Sequence, residues 1–408
     1  MKNGKIFWLL ASCSALLFLA GCGGGNGTTL PPNQIASSAA NVAAIQVNTG
    51  PTQASGVEYA NGAFVSVTVC VPGTSTCQTI PDVLVDTGSY GLRIVSSVLT
   101  ITLPQETASD GNPMAECVGF LDSYTWGPVQ TGDVEVAGEK ASSVPIQVLS
   151  DTDYTAPTSC SDKAPGASAD TVANLGTYGI IGVGQLPQDC GSNVTCSTTT
   201  GQYYSCPSTT TCAPIAATAA QQVANPVALF PTDNNGVIIE LPAVSGAAAT
   251  VSGSLVFGIG TESNNSLNGA TVYEADSANL NFSTSFNGAD YSDAAFIDSG
   301  SNAYFFPDAS IPACSASSGA SAFYCPNGTE NLSATNTGTN GTSGTVNFSI
   351  ANAVTMFTND PNDAAYAQLG GGASGYFDWG LPFFYGRNVF TAIEGKTAPG
   401  GTPPYWAY

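Results

Sequence analysis

Two segments of this chain end in the same way. Val83-Leu84-Val85-Asp86-Thr87-Gly88-Ser89 and Ala295-Phe296-Ile297-Asp298-Ser299-Gly300-Ser301 each drive an apolar run into an aspartate, a small hydroxyl residue, a glycine and a serine. One copy alone reads as a strand running into a polar turn, since Asp, Ser and Gly are common turn residues. Two copies with matching lead-ins, one in each half of the chain, constrain the fold much further. They call for two related halves, each carrying one carboxylate at the end of an apolar strand.

The rest of the sequence agrees with that division. A chain of 408 residues exceeds the usual size of a single hydrophobic core, which favours two lobes. Short alternating runs such as FVSVTVCV, GDVEVAG, VPIQVL, GVIIELP and TVNFSI read as strands and hairpins. Helical periodicity is scarce, with residues 217–230 the best candidate for a short helix. The expected class is therefore all-β with few short helices, as an N-terminal β lobe over residues 60–225 and a C-terminal β lobe over residues 226–408.

Seven Lys and Arg stand against 29 Asp and Glu, for a formal net charge of −22, which opposes binding to nucleic acid or to an anionic membrane surface. The chain has no histidine, so Ser/His and Cys/His triads are excluded and the commonest zinc ligand is missing. Acid and base chemistry must then come from carboxylates, Lys, Tyr or Cys. Neither a metal nor a cofactor is expected.

The amino terminus, with Lys2 and Lys5 before an apolar stretch too short to span a bilayer, reads as an export signal. Its end, Leu19-Ala20-Gly21-Cys22, resembles the bacterial lipobox, which implies cleavage before Cys22 and lipidation of that cysteine. Residues 1–22 are thus read as a lipoprotein signal peptide. Residues 23–59, rich in Gly, Pro and Ser, are read as a flexible tether. Gly23 after the lipid site favours the outer membrane over inner-membrane retention, so the expected location is the cell envelope, facing the periplasm or the cell surface. Of the twelve cysteines, removing Cys13 and Cys22 leaves ten, which read as disulfides in an exported protein. Short spacings suggest Cys70 with Cys77, Cys190 with Cys196, Cys206 with Cys212 and Cys314 with Cys325, leaving Cys117 for Cys160, although spacing does not fix connectivity.

The paired Asp motif resembles that of the bilobal, pepsin-like aspartic peptidases, in which each lobe contributes one such turn. It also looks like an uncharacterised family of bacterial lipoproteins with the same paired pattern. The resemblance implies a bilobal fold with a cleft between the lobes, and Asp86 and Asp298 as a catalytic pair. Two carboxylates in hydrogen-bonding range cannot both ionise cheaply, so one holds a proton and the other stays charged. A water between them can then attack a peptide carbonyl while the protonated member stabilises the developing oxyanion. By the same resemblance Thr87 and Ser299 tie the two turns together, Gly88 and Gly300 let the backbone approach and offer amide donors, and Ser89 and Ser301 bond the outer carboxylate oxygens. Tyr124 or Trp126 is the implied flap aromatic. Residues 177–184 and 377–390, with Gly380, resemble the apolar elements that pass beneath the two turns.

Two positions depart from that pattern. Arg93 stands seven residues after Asp86, where the family carries a tryptophan, and an arginine near the pair would hold its carboxylates ionised. Asp378 stands where an apolar residue belongs. The sequence therefore leaves two readings: a lipid-anchored aspartic endopeptidase acting as a monomer on peptides or proteins, or an inactive peptide-binding or adhesion module of the same fold.

Overall fold

In the computed structural model, which describes residues 39–51, 59–120, 123–150, 152–163, 168–191 and 195–408, the run before the first aspartate is a strand hemmed in on both edges. Cys77–Asp86 pairs antiparallel with Gly62–Cys70 and parallel with Gly179–Val183, so that Val83 lies opposite Gly179 and Asp86 opposite Gly182. Both faces are covered and Val83, Leu84 and Val85 are all buried, which is why the run is apolar throughout instead of alternating. The second aspartate strand repeats the arrangement. Ala289–Ile297 pairs antiparallel with Phe282–Phe286 and parallel with Phe377–Trp379.

The two aspartate strands belong to different sheets, the first to a 15-stranded sheet and the second to a seven-stranded one. The mostly β, bilobal class expected from the sequence is the one present. Among the described residues the longest helix is Ala353–Asn359, of 7 residues. One contiguous core runs through both halves and changes in character. In the first half it is aliphatic, with Val65, Val83, Val85, Ile94, Val144 and Ile181, and in the second it is aromatic, with Phe306 stacked on Phe377 at 5.2 Å and Trp379 beside them. Each large apolar side chain so buried stabilises the fold by about 1.5–3 kcal/mol.

The structure corrects two expectations about local organisation. The stretch 23–59 is not tether throughout, because Val42–Asn48 is a strand that pairs with Gly62–Cys70 on one edge and Val251–Phe257 on the other. Its buried Ala43, Ile45 and Val47 alternate with less buried residues, a period-two signal that the surrounding Ala, Ser and Gly obscure. This strand joins strands from both sides of the expected lobe boundary into one sheet. The helix expected at 217–230 is replaced by two short 3-10 turns, Ala219–Gln221 and Pro226–Leu229; Pro226 has no N–H to continue a helix, and the Asn225 side chain caps the second turn by accepting from the Val227 amide. The export segment, Cys22 and the remainder of the expected tether up to residue 38 lie outside the described residues.

Candidate active site

The two Asp turns are brought together by four hydrogen bonds that run both ways. The Thr87 hydroxyl donates to the Ile297 carbonyl at 3.0 Å and accepts from the Ser299 amide at 2.9 Å. In return the Ser299 hydroxyl donates to the Val85 carbonyl at 2.7 Å and accepts from the Thr87 amide at 3.1 Å. Both side chains are buried, so each hydroxyl satisfies backbone groups that have no access to water.

This lock places Asp86 and Asp298 face to face, with their carboxyl groups in hydrogen-bonding range of each other. Each is held by its own turn. Asp86 accepts from the Gly88 amide at 2.7 Å on Oδ1 and from the Ser89 hydroxyl at 2.5 Å on Oδ2; Asp298 accepts from the Gly300 amide at 2.7 Å on Oδ1 and from the Ser301 hydroxyl at 2.9 Å on Oδ2. A Cβ on Gly88 would lie 2.6 Å from the Asp298 carboxyl carbon, and a Cβ on Gly300 would lie 2.7 Å from that of Asp86. Only glycine permits that approach, and the reciprocity fixes the separation of the two acids.

Asp298 keeps some exposure to the cleft but is otherwise surrounded by protein. That desolvation, and then the Asp86 charge and hydrogen bond beside it, push its carboxyl well above the usual carboxylate range. The expectation that Arg93 would hold the pair ionised is overturned. Arg93 is buried and its guanidinium is spent elsewhere, on Glu116 at 3.0 Å, Asp189 at 3.2 Å and the Tyr90 carbonyl at 2.5 Å, while Asp189 also accepts from the Tyr203 hydroxyl. Asp378 does stand beneath the second turn, as the sequence implied. It is fully buried, neither carboxyl oxygen finds a hydrogen-bond partner of good geometry, and the nearby Ser301 hydroxyl is committed to Asp298. Burial first, and then the charges of Asp298 and Asp86, push its carboxyl well above the usual range, which favours its uncharged form.

The aspartates open onto a cavity of about 660 Å³, with Phe120 on its wall. Tyr124 and Trp126, the expected flap aromatics, lie on the second strand of a hairpin formed by Met114–Gly119 and Tyr124–Val136, and neither lines that cavity. Trp126 is buried against Tyr204 at 5.2 Å and donates its Nε1–H to the Tyr154 carbonyl at 2.6 Å; it points into the body of its own half. Tyr124 pairs with Gly119, and the hairpin lines the cavity instead with Cys117, Val118 and Gly119 of its first strand and with Phe120 just past it. Sequence reasoning also missed Gln185, Lys163, Asp189 and Trp406, which line the same space from segments distant in the chain. Gln185 had one readable signal, its position just past the strand Gly179–Val183 that pairs with the first aspartate strand.

All five disulfides suggested by spacing are formed: Cys70–Cys77, Cys117–Cys160, Cys190–Cys196, Cys206–Cys212 and Cys314–Cys325. Cys117–Cys160 ties the strand Met114–Gly119 to the segment that carries Lys163. Among the described residues no group of Cys, Asp and Glu has the arrangement of a metal site, and no helix is long and apolar enough to cross a membrane.

Compared with solved structures, the chain is similar to the aspartic proteinase from Irpex lacteus, with 16% sequence identity over 90% of this chain and 96% of that one and a TM-score of 0.48. No curated protein matches the sequence. The model of a family described as "Protein of unknown function (DUF3443)" matches residues 37–408, and the chain belongs to that family.

Proposed function

We propose that this protein is an aspartic endopeptidase that hydrolyses peptide bonds with a water activated between Asp86 and Asp298. The observation that carries this reading is the reciprocal lock of the two Asp turns, which holds two carboxyl groups against each other while leaving them open to a cavity. Asp298, whose carboxyl is raised by burial and by its neighbour, keeps the shared proton and donates it toward the oxygen of the substrate carbonyl. Asp86 takes the proton of the attacking water. Ser89 and Ser301 hold the outer oxygens, so each carboxyl keeps one face for chemistry. The tetrahedral intermediate collapses when the leaving amine is protonated, and no covalent intermediate forms on the protein.

Export, lipid attachment at Cys22, a position in the cell envelope and action as a monomer on peptide or protein substrates belong to the same proposal. The five disulfides support an oxidising compartment. The test is incubation of the purified full chain, kept oxidised, with a denatured protein between pH 3 and 8, with fragments identified by mass. The wild type is expected to cut, and Asp298→Asn to lower the rate by roughly 10²–10⁴-fold, the usual worth of a positioned acid or base. Peptide binding without cleavage by the wild type would contradict the enzyme and leave a peptide-binding module of the envelope.

A further inference from the structure

The cavity beside Asp86 contains a polar side chain that the hydrolytic chemistry does not use. Gln185 lines it and is only 2% exposed, yet neither its amide nitrogen nor its amide oxygen has a hydrogen-bond partner. An unmade hydrogen bond on a buried polar atom costs about 1–3 kcal/mol, and a side chain that leaves both a donor and an acceptor open is matched by a group offering one of each. The electrostatics of the cavity narrow the choice. Arg93 is answered by Asp189 and Glu116 and offers no free charge to a ligand. Lys163, whose Nζ donates to the Cys117 carbonyl at 3.3 Å, makes no ion pair among the described residues and has Glu116 and Asp189 as its charged neighbours, while the aspartate pair holds a negative charge on the wall of the same cavity. A carboxylate entering this space meets that pair and leaves the Gln185 oxygen unpaired. An apolar side chain leaves both Gln185 atoms unpaired. A primary amide pairs with both.

We infer that this cavity is a specificity subsite for a neutral side-chain amide, glutamine or asparagine, of the peptide lying across the two aspartates, and that Gln185 reads it. The inference rests on the peptidase reading for the presence of a peptide, but its test does not depend on turnover. Three pseudo-peptides are made with a non-cleavable hydroxyethylene group flanked on both sides by glutamine, glutamate or leucine side chains and otherwise identical. Their binding to the full chain is measured by calorimetry. The glutamine compound is expected to bind at least tenfold more tightly than either of the others, and Gln185→Leu to remove that preference while the variant still binds the leucine compound. A leucine or glutamate compound that binds as tightly to the wild type, a glutamine preference that survives Gln185→Leu, or no binding by any of the three overturns the subsite. The wild-type ranking needs no variant, so a misfolded Gln185→Leu chain leaves the inference testable. A glutamine preference without any hydrolysis of denatured protein sinks the peptidase reading and keeps the subsite; hydrolysis without the preference does the reverse.

Discussion

The two aspartate turns have the same hydrogen bonds but opposite surroundings. Leu84, two residues before the first aspartate, pairs with Ile180, and the matching Phe296 pairs with Asp378. Seven residues after each aspartate the polarity is exchanged, for Arg93 lies opposite Ile180 while Phe305 lies opposite Asp378. At these matched positions each half carries one buried ionisable side chain, on different strands and with different partners. Arg93 is held by Glu116 and Asp189, with burial pushing the Glu116 carboxyl well above its usual range, whereas Asp378 has no partner of good geometry. The difference teaches which parts of the motif the chemistry needs. Turn, glycine and hydroxyl are duplicated because both carboxyls must be held alike, while the layer behind them differs between the halves.

Removing the charge behind the first turn is expected to break the comparison most severely. Arg93→Met leaves Glu116 and Asp189 buried without their cation, and should destabilise the protein by about 3–5 kcal/mol, read as a shift in the denaturant midpoint. Phe305→Leu at the matching position should cost less than about 1.5 kcal/mol. A smaller effect sharpens the likeness of the turns. Thr87→Val and Ser299→Ala each orphan one buried amide and one buried carbonyl, and each should cost about 1–3 kcal/mol, with the two values close to each other. A large loss in one and none in the other would show that the lock is one-sided.

A further difference between the halves depends on pH. Because burial holds the Asp378 carboxyl above its ordinary range, the folded chain keeps a proton that the unfolded chain releases near pH 3.9, roughly the free value. The stability this contributes is complete below that pH and is lost as pH rises toward the folded value. Asp378→Asn, which cannot ionise, should match the wild type in strong acid. Above about pH 4 it should gain on the wild type by about 1.4 kcal/mol per pH unit in the difference of unfolding free energies, up to the folded value. Parallel stability curves for the two proteins would mean that Asp378 ionises normally.

What the sequence made legible follows from how local each signal is. The Asp turns, the strands leading into them and the short-range disulfides are written in contiguous residues, so their types and roles could be read directly. The consequence of Arg93 could not, because its partners Glu116 and Asp189 arrive from a hairpin and a loop far along the chain and turn a charge expected to act on Asp86 into a closed ion pair. The flap aromatic failed for a related reason. Strand alternation says that Tyr124 and Trp126 share a face but not which way that face points, and here Trp126 turns inward to Tyr204 and the Cys117–Cys160 bridge. The strand Val42–Asn48 was hidden because its partners are supplied by both halves of the chain.

The central claim is that one proton is shared by Asp86 and Asp298 and that a water between them cuts peptides. The rate of hydrolysis of a denatured protein, followed against pH for the wild type and for Asp86→Asn, tests it most directly. The predicted wild-type profile rises as the first carboxyl ionises and falls as the second one does, and the variant shows no hydrolysis above background at any pH. Hydrolysis by Asp86→Asn at a rate comparable to the wild type would contradict the account.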